Sequence, residues 1–533
     1  MSSTALIDPR DDGASRGPLP DEKAPSLMRD DDLFVPRLVG AIAAAAVIFG
    51  ATAMLLYRSG RGSAVGPGLS SIILTCGLMG LLFHAAFDRD IQFRRVYMTF
   101  GYLAIALGAF LCVLPYPNRA ADQFGPGFLC MFLGLLFLLC FLRHEAEENM
   151  RNVALYVIAG AGALMAVFGL FGGLLRPDVL IGNKDTFVAT PVGLLLSLLG
   201  LLFLIASITI RGTSDETTYR IGLGVGFAGA FVLLLALIAS FAPSAMWFTK
   251  KNPNYFMPYG LLLQILGFLY VIASVFICSD RPVVVLTRRE LGAFFYSPIA
   301  HLVLLSFVVA HWFGYLMFLI QLYLRGPMDE PIVSGFILQW ASVIWTLFGV
   351  PALTMRLLSE ESRSGTLEQL LTAPVDETVV VLSKFFAAFI MFVIIWLPFG
   401  FLMVSLRIEV GKEFDYRPLF SFGVGLFLTG AAFTSLGLFF SSLTRNQIIA
   451  GVLTFGFMLF LTLIYMAEGL VGSDELLGPQ SGWVALMKHV SFIDVWIETL
   501  KGNLVPKFLL FPASMTILCL FLTVKKLESR KWF

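Results

Sequence analysis

Residues 361–375 read ESRSGTLEQLLTAPV, a polar and closely punctuated island between two long apolar runs. Each flanking run approaches the roughly 20 mostly apolar residues that a helix needs to cross the hydrocarbon layer of a bilayer. Such runs recur from Arg37 almost to the end of the chain. By that criterion about fourteen are expected. The first eight begin near Leu38, Leu69, Met98, Phe124, Val153, Val188, Ile221 and Pro258, and six more near Pro298, Pro331, Thr378, Pro418, Ile448 and Val505.

Composition agrees with this reading. Of 533 residues, 58% are hydrophobic and only 14% charged, with a mean hydropathy of +0.84; soluble domains average roughly 25% charged residues. The apolar runs are continuous, whereas barrel strands would be about 10 residues long and alternate in polarity. The expected fold is therefore all-α, a polytopic helical membrane protein with short cytoplasmic amphipathic helices between its spans.

Lys and Arg collect in alternate loops, and cytoplasmic loops carry that excess. With the N-terminus inside, Arg37, Arg94, Arg95, Arg151, Arg220, Arg288, Arg289, Arg356, Arg363 and Arg445 fall on the cytoplasmic side. The loop holding Arg407, Lys412 and Arg417 runs against the rule, although Glu409, Glu413 and Asp415 accompany them. An even number of spans places both termini in the cytoplasm. Residues 1–36 lack an apolar core for a signal peptide and are rich in Asp, Pro, Gly and Ser, so a disordered cytoplasmic tail is expected. The formal net charge of +1 argues against a nucleic-acid partner.

Within the opening stretch, Thr366-Leu-Glu-Gln369 fits a capping box, and Leu367, Leu370 and Leu371 share one helical face. Gly365 loosens the chain before it, and Pro374 drives Ala373 out of helical geometry. A short amphipathic helix with exposed leucines is expected, followed by Asp376 capping the next span with Glu377 in its first turn. A second such element is TRRELGAFFYSP, residues 287–298. Thr287 and Glu290 form its capping box, Leu291, Phe294 and Phe295 its apolar side, and Arg288 and Arg289 its headgroup-facing start. Ser297-Pro298 then opens the next span.

Taken together, LTRRELGAFFYSPIA, two spans, EESRSGTLEQLLTAPV, Lys384 and a further span resemble the ABC-2 type exporter permeases. The likeness covers about residues 280–533 and is strongest toward the permeases associated with gliding motility and copper-enzyme maturation. The resemblance implies that Glu360, Gly365, Thr366, Leu367, Glu368, Leu370, Leu371 and Pro374 form a coupling helix docking on a separate ABC ATPase subunit. Thr287, Arg288, Arg289, Glu290, Phe294 and Phe295 would form the interfacial elbow helix. It also implies a dimer, with itself or a related permease, in the prokaryotic cytoplasmic membrane. No G-x-x-x-x-G-K-[ST] string occurs, so no cofactor is expected on this chain; ATP and Mg belong to the partner, and no catalytic residue is assigned. Residues 37–279, about eight helices, lie outside the resemblance.

Polar residues within spans are functional candidates by default. They are His84, Gln264, His301, His311, Gln321, Gln339 and Glu468, with His311, Gln339 and Glu468 the candidates for a pathway and interhelical bonding the alternative. Residues 468–504 are expected to carry an amphipathic stripe of Trp483, Leu486, Val490, Ile493 and Ile497 outside the membrane. Six cysteines lie singly in apolar spans, and no metal-ligand spacing is evident, so no metal site is assigned. Gly runs such as IAGAGALMAVFGLFGGLL suggest close helix packing. A non-transporting membrane scaffold or force-transmitting subunit is the alternative to an exporter permease.

Overall fold

The computed structural model describes residues 30–530, apart from 59–66, 88–89, 114–123, 143–146, 175–188, 212–215, 242–259, 326–339, 368–374, 411–416 and 473–481. The described residues are almost entirely helical and contain no strand. The helices are α1 (Asp30–Arg58), α2 (Pro67–Phe87), α3 (Ile91–Val113), α4 (Phe124–Leu142), α5 (Glu148–Val167), α6 (Ala189–Arg211), α7 (Glu216–Phe241), α8 (Leu261–Cys278) and α9 (Pro282–Tyr296). They continue as α10 (Pro298–Arg325), α11 (Trp340–Thr354), α12 (Ser359–Ser364), α13 (Glu377–Val410), α14 (Arg417–Leu443), α15 (Gln447–Gly472), α16 (Gly482–Val490), α17 (Phe492–Leu500) and α18 (Pro506–Arg530). A π-helical turn, Phe168–Leu174, prolongs α5.

Among the described residues, 11 helices are long and apolar enough to cross a membrane. Helices α2, α3 and α4 occupy the other three expected positions.

The chain divides into two compact units, Met1–Met165 and Ala166–Phe533. In the first, α1 packs on α2 and α3 on α4. Gly108 shows why small residues recur there: a Cβ at this position would stand 2.5 Å from the Gly127 carbonyl oxygen. In the second unit α7 packs on α8, and the π-turn packs on α6. Of the Gly run that begins in α5, Gly169 makes a close approach, 2.5 Å from the Ser197 backbone nitrogen for an added Cβ, whereas Gly160 faces open space.

The permease-like helices gather around α14, which touches α11, α13, α15, α17 and α18. At one end of this core, Trp496 of α17 is fully buried among Trp396, Phe422 and Phe492 in edge-to-face contacts of 5.4–5.7 Å. Its indole N–H donates to Thr429 Oγ1 at 3.0 Å, and the Ser421 hydroxyl donates to the Thr499 carbonyl. The indole thus buries its ring and satisfies its donor together.

The expected single stripe over residues 483–497 is corrected here. Ser491 breaks the segment into α16 and α17, its side chain accepting from the Asp494 N–H at 3.3 Å as the cap of α17. The cap resets the helical phase. Phe492, Val495, Trp496 and Leu500 then form the buried face together with Ile493, while Trp483 is 64% exposed and Leu486 is also exposed.

Truncating Trp496 leaves a large void and removes the indole donor from Thr429 Oγ1, whose hydroxyl keeps its bond to the Gly425 carbonyl. Trp496→Ala is expected to lower unfolding stability by about 3–5 kcal/mol, measured as a drop in the thermal midpoint of the purified chain in detergent.

Candidate functional site

The site begins with the placement of α9. Pro282 occupies its first turn, where its fixed φ suits a helix start and its missing N–H costs nothing. Thr287 is therefore mid-helix rather than a cap. Its buried hydroxyl donates to the Val283 carbonyl at 2.6 Å, which corrects the expected capping box. Glu290, the other half of that box, turns elsewhere. Arg288 donates to the carbonyls of Ile277 (3.4 Å) and Ser279 (2.8 Å), satisfying groups at the end of α8. Phe294 packs against the core, while Phe295 is exposed.

The second component follows α11. Pro351 lies inside this helix, and the chain turns over residues 355–358 before α12 starts. The orphan amides at the start of α12 have no local cap. Ser441 of α14 supplies one from outside: its Oγ accepts from the Leu358 and Ser359 N–H groups, both at 3.0 Å, and donates to the Met355 carbonyl at 3.1 Å. α12 ends at Gly365, whose φ of 77° is left-handed. A side chain there would cost roughly 1–2 kcal/mol. Gly365 thus stops α12, and the chain becomes helical again at Thr366 and Leu367, where a helix start is expected.

Leu367 reverses another expectation. It is only 3% exposed and packs with Leu357, Leu358, Val381, Phe385, Leu438 and Leu527, so it anchors the segment to the core. The exposed edge is instead Arg363, Ser364, Gly365 and Thr366. Glu368, Leu370, Leu371 and Pro374 of the expected coupling helix lie outside the described residues, as does the Gln369 half of its capping box. α13 then begins at Glu377, and the Asp376 carbonyl accepts from the Val379 N–H at 3.0 Å and the Val380 N–H at 3.2 Å.

The two components meet at Lys384, one of the largest fully buried side chains, with its ammonium group 3.0 Å from Glu290 Oε2 and 2.7 Å from Glu361 Oε1. One lysine on α13 therefore ties the elbow to the α11–α12 segment. Arg289 adds a 2.9 Å contact to Glu290. Arg356 pairs with Glu360 at 2.8 Å and donates to Ser297 Oγ at 2.9 Å, making a second link between the same elements. Burial alone would raise the Glu290 carboxyl, but the charge and hydrogen bonds of Lys384 and Arg289 outweigh it and hold the group below its ordinary value. Around these pairs lies a cleft of about 240 Å³, lined by Glu290, Arg356, Glu360, Glu361 and Lys384 and by apolar side chains of α9 and α11.

His311 lies in the core away from this cluster. Its Nδ1 is 3.0 Å from the Phe307 carbonyl, its ring stacks on Phe307 at 4.2 Å, and Nε2 is 3.5 Å from Ser342 Oγ of α11. These contacts match the interhelical alternative. Gln339 lies outside the described residues; Glu468 is on α15, but its side chain is not described. Sequence reading missed the part of Ser441, which carries no pattern. It also passed over Lys384 as a candidate, although a lysine among apolar residues of a span is a signal in itself.

Residues 327–504 match the family described as ABC-2 family transporter protein. The match includes Arg356, Glu360, Glu361, Lys384 and Ser441, while Glu290 and the rest of α9 precede it. No curated protein and no solved structure matches the chain.

Lys384→Met should cost on the order of 3 kcal/mol by leaving Glu361 without its cation and Glu290 with Arg289 alone. The triple change Lys384→Met, Glu290→Gln, Glu361→Gln should recover most of that loss in thermal unfolding; an equally unstable triple variant would refute the charge-pair account. The lowered Glu290 value also sets a sign. The stability that its ionisation contributes is complete above the ordinary value of 4.5 and is lost as pH falls through the lower folded-state value. Acid titration of the thermal midpoint should therefore show a decline below pH 4.5 that is smaller in Glu290→Gln.

Proposed function

We propose that this ABC-2 type membrane permease is the membrane-spanning subunit of an exporter driven by a separate ABC ATPase. The partner binds ATP and Mg and performs the hydrolysis; this chain supplies the passage and the mechanical link. The transport core is residues 280–533, and residues 37–279 form a further membrane region. The core works as a dimer in a prokaryotic cytoplasmic membrane, with both termini on the ATPase side.

The observation that supports this reading most directly is the Lys384 bridge, of which Lys384 and Glu361 lie inside the family match. A push on α12 does not stay in a loose loop. Leu367 and Ser441 carry it into α13 and α14, and Lys384 carries it to α9, so several helix ends respond together. The exposed edge from Arg363 to Thr366 is the part of this rigid assembly left for a partner.

The reading is tested by mild purification of the chain from its native membrane. A P-loop ATPase should co-purify with wild type and be depleted at least tenfold from an Arg363→Asp, Thr366→Asp variant, which changes only exposed side chains. Absence of any such ATPase from the wild-type preparation in several mild detergents would count against the exporter reading and favour a scaffold.

A further inference from the structure

Two tryptophans meet at the end of the core remote from Lys384, and their indole N–H groups differ in one respect. Trp496 donates to Thr429 Oγ1 at 3.0 Å. Trp396, about 18 Å along α13 from Lys384 at the helical rise per residue, is 5% exposed, and its Nε1 is buried with no hydrogen-bond partner among the described residues. Rings surround it: Phe307 and His311 of α10 at 5.4 and 5.3 Å, Trp496 at 5.6 Å, and Phe399 and Phe422 at 6.0 Å. A ring face is a weak acceptor, and a buried N–H without a bond costs its full desolvation. The closed packing is therefore opposed at one atom.

An acceptor lies on a ring that touches this indole. The Phe307 carbonyl can only accept, so His311 Nδ1, 3.0 Å away, carries the proton. Nε2 of the neutral imidazole is then an acceptor, and the Ser342 hydroxyl stands 3.5 Å from it, beyond the usual length of a hydrogen bond. Trp496, edge-on to Trp396 at 88°, packs the indole in its present orientation. Polar bonds tie α17 to α14, from Trp496 to Thr429 and from Ser421 to the Thr499 carbonyl. Toward Trp396 of α13 the same pair presents the rings of Trp496 and Phe422. This seam can loosen while α14 and α17 stay joined.

We propose that Trp396 is the latch of a gate at this seam, its N–H stranded among rings when α13 closes on α14 and α17, and donated to His311 Nε2 when they part. One hydrogen bond, absent in the closed state and made in the open one, thus biases the core toward opening. Calling the seam a gate rests on the proposed passage through the core. The two-state indole does not, and its test needs neither an ATPase nor a substrate.

The test uses the full chain in detergent. With 5-fluorotryptophan at all eight tryptophans, the Trp396 fluorine signal, assigned by its loss in Trp396→Phe, should report two states, as two resonances or as relaxation dispersion. A single state without exchange in otherwise wild-type protein would overturn the latch. His311→Phe keeps a ring but removes the acceptor, and should lower the minor population at least threefold; an unchanged population would overturn the pairing with His311. Replacing Trp396 by 3-benzothienylalanine removes the N–H and keeps the shape. That change should raise the thermal midpoint by about 2 °C, whereas the same replacement of Trp496 should lower it. A lowered midpoint at both positions would show that the Trp396 N–H is bonded in the closed state and would sink the proposal.

Discussion

A single ammonium group held away from water organises one end of the helical core that contains α9 and α11–α14. An unpaired charge at Lys384 would be untenable where the side chain is only 2% exposed. Two carboxylates must therefore come to it, and they come from different elements: Glu290 from α9 and Glu361 from α12. The requirement is cooperative, since withdrawing either element leaves a buried charge short of a partner. Every nearby device serves to deliver those carboxylates. Pro282 starts α9 early enough to put Glu290 in mid-helix, Ser441 caps the second start after Pro351, and Gly365 ends α12 within a few residues.

The remainder of the core supports that end by burial of aromatic and small residues around α14. This helix is lined with hydroxyls and glycines, and its Gly437 approaches α11 so closely that an added Cβ would lie 2.0 Å from Thr354 Oγ1. Trp496 closes the other end of the same core, between Trp396 of α13 and Phe422 of α14. Helices α15 and α18 keep broad apolar faces exposed, as at Ile448, Val452, Phe460, Ile517 and Phe521. Such faces are suited to lipid, where an apolar side chain gains no advantage from being inside.

Much of the architecture was legible from local chemistry. Long apolar runs announced the spans, Pro298 announced the start of α10, and Asp376-Glu377 that of α13. The places where local reading failed share one cause. Thr287 and Leu367 were assigned to a cap and an exposed stripe from their immediate neighbours, yet the hydroxyl of the first bonds within its own helix and the second is covered by α13, α14 and α18. Ser491 likewise divided a helix that periodicity alone would have continued, because its cap competes with the hydrophobic phase on either side.

By itself, the sequence determined a multi-pass helical membrane protein, the polar island between two of its spans and the resemblance to ABC-2 permeases. Those follow from apolar length, helix-terminating residues and a linear motif, all of which are local in the chain. Tertiary structure alone decided that Glu290, Glu361 and Lys384 form one cluster, with 94 residues separating Glu290 from Lys384 and 23 separating Glu361 from it. It also decided that Ser441 caps a helix begun 82 residues earlier. The physical reason is that satisfying a buried charge or an orphan amide is a requirement on space. Any residue of suitable chemistry can meet it, and the folded packing selects which one does.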